Sequence, residues 1–390
     1  MVLLPAIVLA SSLPQVTNLG LVASFTVVVD GPRVIFAVPE NLQAEDLNGD
    51  GDMLDSVLHV YNSLSGITTN LALGIAIRTI QVAEDVVVFQ VVEVSQGNTD
   101  LNGDGDTDDR VLHAYDIATD TVVNLGVSLA GSSSVAHGGR FLAFPVSESD
   151  ANADLNGDGD LLDRVTQVYD FSTETFTNLG LATGSPQGIC GNLVFLIVGE
   201  PSQGNTDLNG DGDTRDGVVH VYDAFSGETT NLGLEAAFID LFQGFIAFCV
   251  SERAQGFTDL NGDGDTNDAV VHVYDLETKK LSNLGLAGFP GAGSSIMAVP
   301  VLESSQGNTD LNGDGDRQDW VVHSYEHRTG MIRNLGLTAL RTSGSGDLIG
   351  LGVSERDQGN TDLNGDGDVL DRVSHVYDAS LGTVVSSQDP

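Results

Sequence analysis

The stretch Asp46-Leu47-Asn48-Gly49-Asp50-Gly51-Asp52 recurs seven times, with copies starting at Asp46, Asp100, Asp154, Asp207, Asp259, Asp310 and Asp362. Successive starts lie 54, 54, 53, 52, 51 and 52 residues apart. Self-similarity at a fixed period of this size indicates a repeat architecture, with one supersecondary unit per period. The 390 residues therefore read as one large repeat domain rather than two or three unrelated ones.

Each copy extends to D-x-N-x-D-G-D-x-x-D, a pattern suited to a hard cation. Oxygen donors stand at positions 1, 3 and 5, and glycine at position 6 permits the sharp turn that brings later oxygens round. Position 7 can offer its backbone carbonyl. Position 9 varies too much to be a general ligand, whereas position 10 is aspartate in every copy and reads as the closing carboxylate. The candidate ligands are Asp46, Asn48, Asp50, Asp52 and Asp55 in the first copy, and Asp100, Asn102, Asp104, Asp106 and Asp109 in the second. The third supplies Asp154, Asn156, Asp158, Asp160 and Asp163, and the fourth Asp207, Asn209, Asp211, Asp213 and Asp216. The fifth has Asp259, Asn261, Asp263, Asp265 and Asp268, and the sixth Asp310, Asn312, Asp314, Asp316 and Asp319. The seventh ends the series with Asp362, Asn364, Asp366, Asp368 and Asp371. Up to seven Ca²⁺ ions are expected.

Around each loop the second repeat shows the unit most clearly. Short β-branched runs at Ile77 to Ala83 and Val86 to Val94 precede the loop, and runs at Val111 to Tyr115 and Thr121 to Leu125 follow it. Four runs bounded by turn signals, without helix, predict one four-stranded antiparallel sheet per repeat. Apolar residues on both faces imply that each sheet is sandwiched between neighbours. Seven such sheets predict an all-β, seven-bladed β-propeller spanning 15–390. A β-solenoid is the competing architecture, although its repeats are usually shorter and it needs end caps. An Asn-Leu-Gly junction recurs at Asn18, Asn70 (with Ala72 for glycine), Asn124, Asn178, Asn231, Asn283 and Asn334, and is missing at the C-terminus. Residues 15–21 are accordingly expected to meet 382–388 and complete the seventh blade, removing an exposed edge.

These loops resemble the EF-hand-like calcium loops of FG-GAP repeats in integrin α-subunits and, more distantly, dockerin loops. The resemblance covers the loops closely and the rest of each repeat in outline. It implies a calcium-binding propeller of extracellular type. The loop here joins the second and third strands, whereas FG-GAP blades carry it between the first and second.

The formal charge is −41, and four aspartates in each of the seven loops account for 28 of the 56 acidic residues. Seven bound Ca²⁺ would leave about −27. With only 15 Lys+Arg there is no basic face for nucleic acid. No apolar run reaches the length of a membrane span. Residues 1–14, MVLLPAIVLASSLP, look like a signal peptide lacking its basic start, so export to the extracellular space or cell surface is expected. Cys190 and Cys249 sit in apolar runs and read as buried free thiols.

A glutamate precedes every loop by six or seven residues: Glu40, Glu93, Glu148, Glu200, Glu252, Glu303 and Glu355. It is expected to accept hydrogen bonds from loop amides, with an added calcium ligand as the alternative. After each loop comes V-x-H-x-Y, with His59, His113, His220, His272, His323 and His375, and Gln167 in the third copy. Alternation sets each His–Tyr pair on one sheet face, where inter-blade packing is expected rather than a transition-metal ring. Trp320, Phe257, His137, Arg140, Lys279, Lys280, His327 and Arg328 break the repeat symmetry. No nucleophile elbow, zinc signature or phosphate loop is present. Three functions are compatible with this. The first is a calcium-stabilised binding or adhesion module for a protein or glycan. The second is a secreted hydrolase or lyase with a central-channel site, its residues drawn from Ser132, Ser133, Ser134, His137, Ser294, Ser295, Ser343 and Ser345. The third is a structural surface or filament subunit that self-associates.

Overall fold

The structure is a computed structural model that describes residues 17–23, 27–76, 79–129, 134–291 and 293–386. The signal-like segment, Ile77, Ser132, Ser133 and the ends of the two segments expected to close a ring lie outside the described residues. The chain divides into two compact units, Met1–Leu129 and Ala130–Pro390. The secondary structure is almost entirely β, with short helical turns of three or four residues before several loops. Among the described residues, no helix is long and apolar enough to cross a membrane.

The first unit holds two four-stranded antiparallel sheets in simple meander order. The first consists of Val27–Asp30, Arg33–Pro39, Ser56–Asn62 and Ile67–Gly74, and the second of Gln81–Ala83, Val86–Val92, Arg110–Asp116 and Thr121–Ser128. The second unit holds five more sheets of the same order; four have four strands, and the sixth has three, Ile296–Leu302, Trp320–Glu326 and Met331–Thr338. A single bridge, Gly293 to Met297, stands where the other sheets have their first strand. The acidic loop joins the second and third strands of the six four-stranded sheets and the first and second strands of the three-stranded sixth. The first strand is the shortest in the second sheet: of the described part of the expected Ile77 to Ala83 run, Gln81–Ala83 is strand.

The two middle strands carry the core. Ile35, Phe36, Ala37 and Val38 are all buried, although alternate side chains point to opposite faces. This requires a partner on both faces, and the adjacent sheet of the same unit covers one of them. In the first unit Leu58 and Val60 of one sheet pack with Val87, Phe89 and Val91 of the next. In the second unit Phe195, Val219 and Val221 meet Ile246, Phe248 and Val250 in the same way. The leucine at loop position 2 joins these layers, as Leu101, Leu260 and Leu311 do, and so pins each loop to the core by its side chain.

The Asn-Leu-Gly element is a bulge inside the fourth strand rather than a turn between repeats. Val111 pairs Ser128 while His113 pairs Asn124, so the fourth strand carries two extra residues at this point. Gly126 takes a φ of 64° there, a left-handed conformation that glycine adopts without a Cβ clash.

Candidate metal centre

Each loop is wound by its own side chains. Asp46 Oδ1 and Oδ2 accept from the Gly49 and Gly51 amides at 2.6 and 3.1 Å, and Asp50 Oδ1 accepts from the Asp52 amide at 3.0 Å. The position-1 bonds recur in all seven loops. They turn the backbone twice within seven residues and gather the later carboxylates on the inner side.

The preceding glutamate closes the loop from below. Glu40, fully buried, accepts from the Leu47 amide at 2.6 Å and from the Asp55 amide at 3.1 Å. Its counterparts repeat the bracket; Glu303, for example, accepts from Leu311 at 2.6 Å and Asp319 at 3.1 Å. The expected acceptor role is therefore observed. The same carboxylate also stands within 4.8 Å of the aspartates at positions 7 and 10, in the groups Glu40–Asp52–Asp55, Glu93–Asp106–Asp109, Glu200–Asp213–Asp216 and Glu252–Asp265–Asp268. In the third loop Asp158 at position 5 joins Glu148, Asp160 and Asp163. Position 7 thus brings its carboxylate to the group, where the sequence suggested only its carbonyl.

Repulsion is legible at position 10. Burial first, then the neighbouring loop acids, raises Asp55, Asp163 and Asp268 above the usual carboxylate range. Asp216 reaches about 6 and Asp319 about 7 for the same reasons. In loops one, three and five a serine of the next repeat, Ser95, Ser202 or Ser305, hydrogen-bonds that aspartate. Its place beside Asp216 is taken by Ala254, and beside Asp319 by a further acid, Asp357. Asp55 is 8% exposed, and its Oδ2 has no hydrogen-bond partner. A buried carboxylate oxygen left bare among other acids is costly unless a cation neutralises it.

Three kinds of contact tie the loops to their surroundings. The position-3 asparagine reaches the next repeat, as Asn48 Nδ2 does at Ser95 O (2.8 Å) and Asn156 Nδ2 at Ser202 O (2.8 Å). In the second and seventh loops this amide instead bonds carboxylates of its own loop, Asp109 at 2.7 Å and Asp371 at 2.9 Å. The bulge asparagine donates to the position-2 carbonyl, as Asn124 does to Leu101 O at 2.7 Å. A glutamine of the lead-in clasps the preceding bulge: Gln203 Nε2 donates to Gly180 O at 3.0 Å while its Oε1 accepts from the Ala182 amide at 2.8 Å. Gln43 holds Gly20 and Val22 in the same manner. Ala44 and Phe257 interrupt the Gln-Gly-Asn-Thr pattern and so conceal Gln43 and Gln255 in the sequence. The available signal was their place three and four residues before the loop, against four for Gln96, Gln203, Gln306 and Gln358.

The histidines are buried packing elements, and the ring contacts of His59, His113 and His272 are with cross-strand phenylalanines of the same sheet rather than between sheets. His59 is buried with Nδ1 3.0 Å from Val57 O and stacks on Phe36 at 5.9 Å. Burial lowers His59, His113, His220, His272 and His323 below the ordinary imidazole value. Several symmetry-breaking residues form surface pairs instead: Arg140 with Asp170 at 2.6 Å, Lys279 with Asp223 at 3.2 Å, and His327 with Asp275 at 3.2 Å. Cys190 is exposed at a strand end, which corrects its assignment as buried. Cys249 is partly buried and donates to Gly288 O. The serines do not assemble a nucleophilic site among the described residues. Ser294 and Ser295 donate to Gly346 O at 3.3 and 3.1 Å, and Ser343 and Ser345 lie on the Thr342–Ser345 strand.

No protein-family model matches the chain, and no curated protein sequence is similar to it. Solved structures of similar fold include the β-propeller domain of the Trilobed protease from Pyrococcus furiosus (8% identity, TM-score 0.39, 93% of this chain and 97% of that one). They also include Porphyromonas gingivalis dipeptidyl peptidase 4 (10% identity, TM-score 0.46, 94% and 53%) and an acylaminoacyl peptidase (10%, TM-score 0.38, 93% and 52%). The chain spans about half the length of these last two. Scores of this size carry no argument about activity. The expectation of a calcium adhesion module for a protein or glycan is corrected at this point. The similar folds named here come from peptidases, and a fold of this kind does not by itself mark an adhesion protein.

Proposed function

We propose that the chain is a calcium-stabilised β-propeller scaffold, its seven sheets arranged as blades and each acidic loop holding one Ca²⁺. The observation that carries this reading is Asp55, whose buried and unpartnered Oδ2 lies among Glu40, Asp50 and Asp52. An all-oxygen donor set with several carboxylates on a glycine-permitted turn suits calcium rather than a soft metal. The ion would neutralise acids that the fold otherwise forces together. At calcium ~100 times its dissociation constant, each independent site gains roughly 2.7 kcal/mol. Loops of FG-GAP type belong to this proposal, as does an extracellular setting, where calcium is plentiful.

Ring closure is part of the same proposal. The fourth strand of the seventh sheet, Thr383–Ser386, has four residues where most of its counterparts have eight, and Ser386 pairs His375 where the other sheets place the bulge asparagine. A matching segment, Asn18 to Val22, is instead clasped by Gln43 in the first unit. Calcium counting combined with melting in calcium and in EDTA tests the scaffold reading. A maximum dimension from solution scattering that fits a ring rather than a rod tests closure.

For the molecular role, we retain the hydrolase or lyase reading with a central-channel site. A panel of chromogenic peptide and ester substrates at saturating calcium tests it. Turnover lost on His137→Ala but kept on Trp320→Phe would support it, and no turnover across the panel would remove it.

A further inference from the structure

A cavity of about 390 Å³ opens beside the sixth loop, between the sixth and seventh sheets of the second unit, with Asp316, Asp319 and Trp320 on one side and Gly352, Arg356 and Arg372 on the other. Gly352 makes the space. Three residues before the loop glutamate, the other repeats carry Ala37, Gln90, Pro145, Ile197, Cys249 and Pro300, whereas the seventh carries no side chain at all. A Cβ built on Gly352 meets nothing within 4 Å, and its backbone lies in an ordinary strand.

The lining is as particular as the space. Trp320, the only tryptophan in the chain, is half-buried with one neighbour ring, Phe289, at 5.2 Å. Arg356 and Arg372 are exposed, and neither forms an ion pair among the described residues. A volume of this size accommodates a small organic molecule. A divalent ion held by Asp316 and Asp319 would leave the two guanidiniums opposed by Asp357 alone. Guanidinium forks match the geometry of a carboxylate, and the indole offers an apolar face to the rest of the ligand.

We propose that this cavity binds a compact organic carboxylate, its oxygens held by Arg356 and Arg372 and its body lying on Trp320. Binding depends on the cation in the sixth loop, so the inference rests on the calcium reading above.

The probe is 4-fluorobenzoate, followed by ¹⁹F line broadening against the calcium-loaded chain with ions counted in the same sample. Broadening is expected in the loaded protein. It should weaken by about tenfold or more in Arg356→Gln/Arg372→Gln, which loses charge-assisted hydrogen bonds, and in Gly352→Ile, which fills the space. EDTA should abolish it. Melting of Gly352→Ile in calcium reports whether that variant is folded, and the arginine pair, being exposed, serves if it is not. Ions present without broadening would overturn the pocket while leaving the calcium reading intact, as would broadening that survives both variants. Broadening without ions would overturn its cation dependence, and neither ions nor broadening would overturn both readings.

Discussion

Phe257 and Ala72 occupy left-handed backbone positions that most other repeats fill with asparagine or glycine. Phe257 has a φ of 55°, where Asn98, Asn205, Asn308 and Asn360 stand in other copies, and Ala72 has a φ of 54°, where Gly126, Gly180 and Gly233 stand. A bulky side chain at positive φ is strained by roughly 1–2 kcal/mol. Phe257→Asn and Ala72→Gly should each raise stability by about 1 kcal/mol, read as a higher urea midpoint at unchanged slope. Protonation offers a second test at this scale. Asp216 and Asp319 titrate near 6 and 7 in the folded, metal-free chain, above their ordinary value of 3.8. A raised carboxyl pKa means that the folded chain binds more protons than the unfolded chain between the two values, so its stability falls as pH rises through that window. Calcium reverses this by favouring the ionised form. The buried histidines act in the opposite sense below 6.5, in calcium and in EDTA alike. The difference in melting temperature between calcium and EDTA should therefore grow from pH 5 to pH 8, and a flat difference would contradict the assignment. The ligand types were legible because carboxylates recur at fixed loop positions. Asp357 was not, because its role depends on which loop of the neighbouring repeat it faces.

At the scale of the element, the four runs per repeat became strands in six of the seven sheets, because β-branched residues alternate between turn signals; among the described residues the sixth keeps only a bridge for its first run. The second repeat's third strand, Arg110–Asp116, adds one residue at each end of the expected run. The bulge was misread as a junction, since Asn-Leu-Gly carries the residues of a turn and only pairing register separates the two. That register also explains the lead-in glutamine, which satisfies a carbonyl and an amide that the bulge removes from the ladder. Gln203→Ala leaves both without this partner and should cost about 1–2 kcal/mol, measured by chemical unfolding in saturating calcium. An unchanged midpoint would show that water replaces the clasp freely. Glu303→Gln should cost more, roughly 2–3 kcal/mol, since an amide can accept at one oxygen only and turns a donor toward the Asp319 N–H.

For the whole molecule, the sequence foretold the number of sheets and their order. Each sheet is local in the chain, and the repeat period counts them. Function was far less legible, because the loops that dominate the sequence are the same in every repeat and repetition carries no unique chemistry. What distinguishes one repeat from another is small, such as a missing side chain at Gly352 or an indole at Trp320.

The central claim is that calcium holds these loops together. The most direct test is to count calcium per chain by mass spectrometry alongside thermal melting in calcium and in EDTA. Near seven ions per chain, with a large fall in melting temperature on chelation, is the expected result. Substoichiometric calcium with an unchanged melt would contradict it, leaving the acidic loops as turns held by their own hydrogen bonds.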